Sequence, residues 1–355
     1  MSSIQTIQVH TTPAYQVSIG PGLLAGCGRQ LLPVLGPCHV AVITDSTVAP
    51  LYLDTVAASL RDAGFTVSTV VFPAGEGSKN FTTLSTILEA LAEARLTRAD
   101  CVAALGGGVT GDMAGFAAAC YLRGIRCVQL PTTLLSAVDS SGGGKTAIDL
   151  KAGKNLAGAF LQPSAVLCDT DCLRSLPADV FADGAAEAIK TGVLDDESLF
   201  ALFEDGTLTA APEEVIARCV RYKAGVVERD EKEQGERKLL NLGHTVGHAI
   251  EKCSDYTIPH GHAVAAGLAI IVRASEAFGW AEEPIARRIA ACLAKNSLPT
   301  GTEFSAEALA HAASADKKRA GSDITLVIPK KIGVCKLKKM PVTELLPIIR
   351  AGLEG

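Results

Sequence analysis

The chain has 355 residues, of which 48% are hydrophobic and 20% are charged, a balance that excludes an intrinsically disordered protein and predicts two domains. Its net charge of -5 leaves no basic excess that would attract nucleic acid or an anionic membrane surface. Its eleven scattered cysteines contain no Cys-x-x-Cys pair, and the N-terminus lacks a signal-peptide layout. We therefore expect a reduced, cytoplasmic protein that binds neither nucleic acid nor membrane.

The first half of the chain alternates between short apolar runs, typical of strands, and amphipathic stretches, typical of helices. We predict strands at residues 4–9, 15–19, 40–43, 65–72, 101–105, 126–130 and 165–168. Helices are expected after the third of these strands, ending at Gly64, and at residues 82–94. Continuous apolar strands that alternate with helices indicate a mostly parallel sheet covered on both faces.

The pattern becomes helical after about residue 176. We predict helices at residues 185–193, 212–228, 245–252, 263–278 and 285–295, together with a β-hairpin at 324–328 and 333–337. The predicted fold class is thus α/β plus α. A Rossmann-like, nucleotide-binding domain is expected at residues 1–176, and a mainly helical domain at residues 177–355.

A glycine-rich segment, Gly106-Gly-Gly-Val-Thr-Gly-Asp112, follows a predicted strand and begins a helix. Glycines at such a place let backbone N–H groups approach a pyrophosphate, although a simple tight turn is the alternative. Asp45 follows another strand and is suited either to accept a hydrogen bond from a ribose hydroxyl or to cap a helix. The run that begins at Ser140 and ends in Lys145 lacks the first glycine of a Walker A motif, which argues against a P-loop NTPase.

Four of the seven histidines fall within residues 244–262. His244 and His248 are four residues apart, on one face of a predicted helix, and His260 follows after a proline. Glu187 adds a carboxylate on another helix, and one glutamate with two histidines is typical of a catalytic zinc site. Packing is the alternative role for any single histidine. The charged run at residues 228–237 is either a solvated loop or part of the same site.

These segments, in this order, resemble the 3-dehydroquinate synthase family of the sugar-phosphate cyclase superfamily. The resemblance runs from about Asp45 to Gly333, and its most specific stretches are Gly106-Gly-Gly-Val-Thr-Gly-Asp112, Gln129-Leu-Pro-Thr-Thr-Leu-Leu135, Gly143-Gly-Lys145-Thr, Gly153-Lys-Asn155 and Leu240-Asn-Leu-Gly-His-Thr-Val-Gly-His-Ala-Ile-Glu251. It implies an NAD- and zinc- or cobalt-dependent lyase of the shikimate pathway. Such an enzyme converts 3-deoxy-D-arabino-heptulosonate 7-phosphate to 3-dehydroquinate and phosphate by transient oxidation, β-elimination, re-reduction and an intramolecular aldol step.

Carried over residue by residue, the resemblance assigns three groups of side chains. It makes Glu187, His244 and His260 the metal ligands. The implied NAD-binding residues are Asp45, Glu76, Lys79, Gly107, Gly108, Val109, Asp112, Thr132, Thr133, Lys154 and Ser175. The implied substrate-binding and proton-transfer residues are Arg123, Asp139, Lys145, Asn155, Lys190, Lys223, Glu233, Arg237, Asn241 and His248, with one lysine of Lys317 and Lys318. In the family, the position of Arg123 reaches across a dimer interface, which implies a homodimer.

Four positions depart from the family pattern. His262 stands where the family has glutamate, as a neighbour of the metal or an alternate ligand. Gly142 replaces an isoleucine or valine and makes its loop more flexible. Ser175 replaces a threonine but keeps the hydroxyl, and Thr47 stands where asparagine is common.

Three other functions compete with this interpretation. A cyclase for a neutral sugar phosphate is disfavoured by the retained set Lys223, Arg237, Asn241 and His248, which suits a carboxylate-bearing substrate. A metal-dependent polyol dehydrogenase would accumulate NADH, whereas a synthase would not. A non-catalytic nucleotide-binding module would not need the predicted cluster of cations.

Overall fold

The structure, a computed structural model, describes residues 4–206, 212–317 and 323–355. The chain forms two compact units. One contains Met1–Leu176 and Lys223–Glu231, and the other contains Pro177–Tyr222 and Lys232–Gly355. The chain thus enters the second unit at Pro177 and returns briefly to the first, a return that the sequence pattern does not indicate.

The described part of the first unit is built on a seven-stranded sheet and a separate hairpin. Its strands in chain order are β1 (Gln5–Val9), β2 (Tyr15–Gly20), β3 (His39–Asp45), β4 (Thr66–Phe72), β5 (Cys101–Gly106), β6 (Arg126–Pro131), β7 (Lys145–Leu150), β8 (Gly153–Phe160) and β9 (Ala165–Asp169). The sheet order is β1-β2-β9-β6-β5-β3-β4, and β7 pairs only with β8 among these strands. The strands β1 and β2 are antiparallel, whereas the other neighbours in the sheet are parallel.

Helices cover both faces of this sheet because successive residues of its inner strands point to opposite sides. The helices are α1 (Cys27–Leu35), α2 (Asp54–Asp62), α3 (Phe81–Glu93) and α4 (Gly108–Cys120). In β3, Val40 and Val42 join the apolar core that contains α1 and α2. Ala41 and Ile43 face the other core, which contains α3 and α4. The predicted parallel sheet with two covered faces is therefore confirmed.

The described part of the second unit is mainly helical. Its elements are α5 (Ala178–Asp195), α6 (Glu197–Ala201), α7 (Pro212–Arg229), α8 (His244–Cys253), α9 (His260–Ala277), α10 (Ala286–Lys295), α11 (Ala306–Lys317) and α12 (Leu345–Glu354), with the antiparallel hairpin β10 (Asp323–Lys331) and β11 (Val334–Pro341). The helix α9 is buried over most of its length and packs against α5, α8 and α12. Glycine permits this packing, since a Cβ on Gly267 would lie 2.3 Å from the Gly243 carbonyl oxygen of the neighbouring segment. The last third of α7 belongs to the first unit.

Several elements were absent from the sequence prediction. The helix α1 contains Pro33 and follows glycines, and neither feature signals a helix. The hairpin strands β7 and β8 were not predicted, and β8 begins with Gly153-Lys-Asn155, a polar segment typical of a loop. The helix α5 begins seven residues before the predicted start. The helices α11 and α12 were also missed. None of the described helices has the length and apolarity needed to cross a membrane.

Candidate nucleotide and metal sites

The strand order of the first unit reverses between β3 and β5, because β4 lies on one side of β3 and β5 on the other. Open parallel sheets bind ligands at the carboxyl ends of the strands at such a point. Asp45 ends β3, and its Oδ2 accepts a hydrogen bond from Thr110 Oγ1 of α4 at 3.1 Å. Its Oδ1 accepts from the backbone N–H groups of Thr47 at 2.8 Å and Val48 at 3.0 Å. The carboxylate thus caps this turn, and its ribose role stays a prediction.

Glycines keep the N-terminus of α4 free of side chains at this edge of the sheet. Gly107 is the residue that precedes the helix, and a Cβ there would lie 3.2 Å from Thr133 Cγ2. A Cβ on Gly108 would lie 3.1 Å from Ser140 Oγ. The first turn, which also carries Val109, therefore presents backbone N–H groups that suit an anionic phosphate.

A buried lysine connects the predicted nucleotide residues with the β7–β8 hairpin. Lys79 Nζ lies 2.6 Å from Asp112 Oδ2 and donates to Asn155 Oδ1 at 2.6 Å. Nearby, Lys154 Nζ lies 3.1 Å from Glu76 Oε1. Burial opposes the charge of Lys79, but the carboxylates of Asp112 and Glu76 outweigh it and raise the pKa of the lysine. Lys79 is therefore a fixed cation in the first unit.

Two other predicted nucleotide residues, Thr132 and Ser175, donate hydrogen bonds to backbone carbonyls. Thr132 is buried, and its backbone N–H donates to the Gly106 carbonyl at 3.0 Å. The Ser175 hydroxyl donates to the Cys172 carbonyl at 2.9 Å and also contacts the Tyr52 hydroxyl. Tyr52 is a neighbour that the sequence reasoning did not identify.

The predicted substrate residues of the first unit include Arg123, Asp139, Lys145 and Lys223. Lys223 Nζ donates to Asp139 Oδ1 at 2.8 Å and to the Asp139 carbonyl at 2.7 Å. Lys145 is exposed at the start of β7, after a glycine loop in which Gly143 N–H donates to the Tyr15 hydroxyl at 3.1 Å. Arg123 is exposed and has a φ of 69°.

Left-handed backbone conformations occur at three predicted site residues. The φ angles are 69° at Arg123, 56° at Asn155 and 57° at Glu233. Such angles are unfavourable for residues other than glycine and are concentrated at functional sites.

The predicted metal ligands of the second unit come together from three helices. Glu187 lies on α5, His244 begins α8 and His260 begins α9. Glu187 Oε1 is 3.6 Å from His244 Nε2 and 3.5 Å from His260 Nε2. A tetrahedral zinc with bonds of about 2.0–2.1 Å places its ligand atoms about 3.4 Å apart. The observed spacings therefore fit a metal ion with three protein ligands.

The protonation of His244 also suits a metal ligand. Its Nδ1 lies 3.1 Å from the Leu242 carbonyl oxygen, which can only accept, so Nδ1 carries the proton and Nε2 keeps its lone pair. Burial and the nearby charge of Lys190 lower the pKa of His244 to about 3, which keeps the ring neutral. In addition, no described residue donates a hydrogen bond to the buried Glu187 Oε1.

Opposing charges surround this cluster. Lys190 forms an ion pair with Glu187 Oε2 and donates to the Leu240 carbonyl at 2.8 Å. Burial would raise the pKa of Glu187, but the charge of Lys190 holds it well below its usual value. Burial would lower the pKa of His260, but the neighbouring carboxylates of Glu187 and Glu251 raise it to about 10. A metal that binds here would therefore displace a proton from His260.

Two further histidines lie near the three ligands. His248 is half-exposed, and its ring centroid is 5.3 Å from that of His244 and 5.9 Å from that of His260. His262 points elsewhere, with Nδ1 3.1 Å from Asp183 Oδ1. The described ligand clusters contain His260 and do not contain His262.

The charged run before α8 is only partly solvated. Arg237 is 1% exposed, and Asn241 Nδ2 donates to Glu233 Oε1 at 2.6 Å. A buried arginine excludes a purely solvated loop, which was one of the two alternatives. Lys318 and the side chain of Lys317 lie outside the described residues.

Family models of known proteins match most of the chain. Family models match residues 69–183, described as 3-dehydroquinate synthase N-terminal, and residues 184–319, described as 3-dehydroquinate synthase C-terminal. The 3-dehydroquinate synthase of Rhizobium leguminosarum bv. trifolii (strain WSM2304) is 43% identical over 365 residues, covering 98% of this chain and 97% of that protein.

Two solved structures share the fold at 25% sequence identity. The crystal structure of 2-deoxy-scyllo-inosose synthase, complexed with carbaglucose-6-phosphate, NAD⁺ and Co²⁺, has a TM-score of 0.87 and covers 98% of this chain and 100% of its own. The 2-epi-5-epi-valiolone synthase of Streptomyces hygroscopicus subsp. jinggangensis 5008, with NAD⁺ and Zn²⁺ bound, also has a TM-score of 0.87, with coverages of 100% and 99%.

The sheet topology, the Glu-His-His cluster and these likenesses together define an enzyme of the sugar-phosphate cyclase class. The two family models span residues 69–319, which is more than half of the chain. The chain belongs to the 3-dehydroquinate synthase family, and its activity is that of a 3-dehydroquinate-forming carbon–oxygen lyase. The resemblance stated from the sequence is confirmed.

Proposed function

We propose that the chain converts 3-deoxy-D-arabino-heptulosonate 7-phosphate to 3-dehydroquinate and phosphate, with NAD⁺ used and regenerated in each turnover. The observation that carries this proposal is the Glu187, His244 and His260 cluster, whose spacings of 3.5 and 3.6 Å suit a catalytic metal with one open coordination position. An ion held by these three residues would supply a Lewis acid that polarises the hydroxyl and carbonyl oxygens of the substrate. Zn²⁺ or Co²⁺ is the proposed ion.

We propose that NAD⁺ binds at the strand-order reversal between β3 and β5, where it would supply the hydride acceptor and donor. The bare N-terminus of α4 suits the pyrophosphate, and Asp45 suits a ribose hydroxyl. Lys79, held by Asp112 at 2.6 Å, adds a fixed positive charge in the same unit. The other proposed NAD residues are Glu76, Gly107, Gly108, Val109, Asp112, Thr132, Thr133, Lys154 and Ser175.

The proposed substrate carries both a carboxylate and a phosphate, so it needs cations with fixed positions. Buried Arg237 offers five donors in a rigid planar group, and Lys223 is oriented by Asp139 at 2.8 Å. Asn241 is held by Glu233 at 2.6 Å, which leaves its amide in a defined orientation. Lys145, Asn155 and Lys190 complete the proposed set of polar contacts.

Proton transfer is assigned to residues next to the metal cluster. His248 is half-exposed beside His244 and His260, so its ring can bind substrate oxygens and exchange a proton with solvent. After oxidation at C5, the C6 proton is acidic, and the departing phosphate is proposed to take it up. The C5 ketone would then be reduced again by the NADH formed in the first step, and ring opening and the intramolecular aldol step would follow.

We propose a homodimer to which Arg123 contributes. Leu122 and Arg123 have left-handed φ angles of 50° and 69°, and Leu122 is 39% exposed. Two residues on one face of β8, Leu156 and Phe160, are also exposed. Apolar side chains of this kind suit burial against a second copy. We also propose a cytoplasmic location, which the eleven free cysteines support.

The test is an assay of the purified full-length chain with heptulosonate phosphate, catalytic NAD⁺ and Zn²⁺. We expect release of one phosphate per substrate and formation of dehydroquinate, with no net NADH. Stoichiometric NADH would instead indicate a polyol dehydrogenase. Turnover of sedoheptulose 7-phosphate without turnover of the heptulosonate would indicate a different cyclase. A measurement of the mass of the chain in solution tests the dimer.

A further inference from the structure

A second glutamate lies against the metal cluster but belongs to none of the residue groups assigned above. Glu251 is 1% exposed and lies on α8, seven residues after His244 and hence on the same face of the helix. Its Oε2 is 3.4 Å from His260 Nδ1 and 4.0 Å from His248 Nε2. A buried carboxylate is costly unless it is compensated, and here two imidazoles surround it.

The two nitrogens of His260 face different carboxylates. Nε2 points to Glu187 Oε1 at 3.5 Å, and Nδ1 points to Glu251 Oε2 at 3.4 Å. For Nε2 to bind a metal it needs its lone pair, so the proton of the neutral ring must be on Nδ1. An acceptor at Nδ1 selects that tautomer and holds the ring plane. His244 obtains the same support from the Leu242 carbonyl at 3.1 Å.

A second ion bound by Glu251 is the competing explanation. His248, Glu251 and His260 also bring three ligand atoms within 4.8 Å of one another. Such an ion would need His260 Nδ1 as a ligand while Nε2 already binds the first ion, so the ring would have to lose both protons. The arrangement therefore favours Glu251 as a hydrogen-bond acceptor rather than as a ligand.

We propose that Glu251 is a positioning residue that orients His260 for metal binding through its Nδ1–H and raises the metal affinity of the cluster. The proposal rests on the proposed function, because it assumes that Glu187, His244 and His260 bind the ion. Outer carboxylates of this kind typically change metal affinity by about 10–100-fold.

The experiment compares Glu251→Gln and Glu251→Ala with the wild-type full-length chain. Each protein is stripped of metal and titrated with Zn²⁺ against a competing chelator, and the Co²⁺ form is examined by visible absorption. We expect Zn²⁺ to bind about 100-fold more weakly to Glu251→Ala and about 10-fold more weakly to Glu251→Gln, which keeps an acceptor but loses the charge. The Co²⁺ bands should shift in both variants, an effect that a loss of general stability would not produce.

His262→Ala is the matched control, because its ring pairs with Asp183 at 3.1 Å and lies only two residues from His260. Its Zn²⁺ affinity should stay within about threefold of wild type. Unchanged affinity and unchanged Co²⁺ bands in Glu251→Gln, which is isosteric, would overturn the proposal while leaving the metal site intact. Two Zn²⁺ ions per wild-type chain would also overturn it. A wild-type chain that binds no Zn²⁺ would instead refute the proposed metal site itself.

Discussion

A single added methyl group at Gly261 should break the metal cluster without touching any ligand. Gly261 follows His260 at the start of α9, and a Cβ built there would lie 2.0 Å from the backbone oxygen of Asp183 on α5. It would also lie 2.8 Å from Asp183 Oδ1. Gly261→Ala therefore forces the start of α9 away from the helix that carries Glu187.

The size of the effect follows from the ligand spacing. Ordinary contact begins at about 3.4 Å, so the backbones must separate by about 1.4 Å. A shift of that size along the ligand direction would open the 3.5 Å spacing between Glu187 Oε1 and His260 Nε2 to about 4.9 Å. Two atoms bound to one zinc at about 2.0–2.1 Å cannot be more than about 4.2 Å apart. His260 would therefore be lost as a ligand.

The assay is a competition titration of metal-free Gly261→Ala with Zn²⁺, combined with urea unfolding. We expect metal affinity to fall by at least about 100-fold and the free energy of unfolding to fall by about 1–3 kcal/mol. Gly301→Ala is the control, because its Cβ would have its nearest neighbour at 3.9 Å. Zn²⁺ affinity of Gly261→Ala within threefold of wild type would refute the reasoning.

Three further predictions concern separate sites. His244→Ala should abolish Zn²⁺ binding and leave NAD⁺ affinity largely unchanged in parallel titrations, and retained Zn²⁺ would contradict the ligand assignment. Lys79→Met removes the ammonium group that lies 2.6 Å from Asp112 Oδ2. It should weaken NAD⁺ binding and lower the free energy of unfolding by about 3 kcal/mol, and wild-type values for both would contradict the role of Lys79. Burial opposes the charge of Asp100, but hydrogen bonds from Thr97 and from a backbone N–H outweigh burial and lower the pKa of this carboxyl. The ionised carboxylate therefore stabilises the fold above pH ~4, and this stabilisation is lost as the pH falls through the folded pKa. Asp100→Asn should therefore cost about 1–3 kcal/mol at pH 7 in urea unfolding, and a cost that does not shrink in acid would contradict this account.

The strands β3, β5 and β9 of the parallel sheet were predictable because each contains a run of apolar residues between polar stretches. Residues 101–105, for example, are all buried in β5. The β7–β8 hairpin was not predictable, since Lys154 and Asn155 carry polar side chains and Asn155 has a φ of 56°. Its backbone is held by a tertiary hydrogen bond of 2.8 Å from the Asp149 N–H to the Lys79 carbonyl. The Lys79 side chain also donates to Asn155 Oδ1 at 2.6 Å. Local propensity does not contain such long-range contacts.

The candidate site likewise has features that could be predicted from the sequence and features that could not. The spacing of His244 and His248 on one helix face, and the family motifs around Glu187 and His260, were readable from the sequence alone because they are local in the chain. The partners of His262 and Glu251 were not. Asp183 lies 79 residues before His262, and only the packing of α5 against α9 brings the two side chains to 3.1 Å.

The sequence by itself determined the α/β class, the glycine-rich turn after β5, the family and the identity of the predicted ligands. These depend on periodicity and on residues that are close in the chain. The tertiary structure alone decided that Glu187 and His260 face each other at 3.5 Å, that Arg237 is buried and that Glu251 lies 3.4 Å from His260 Nδ1. Distances of this kind follow from how helices pack, and glycines such as Gly261 set that packing through contacts distant in sequence.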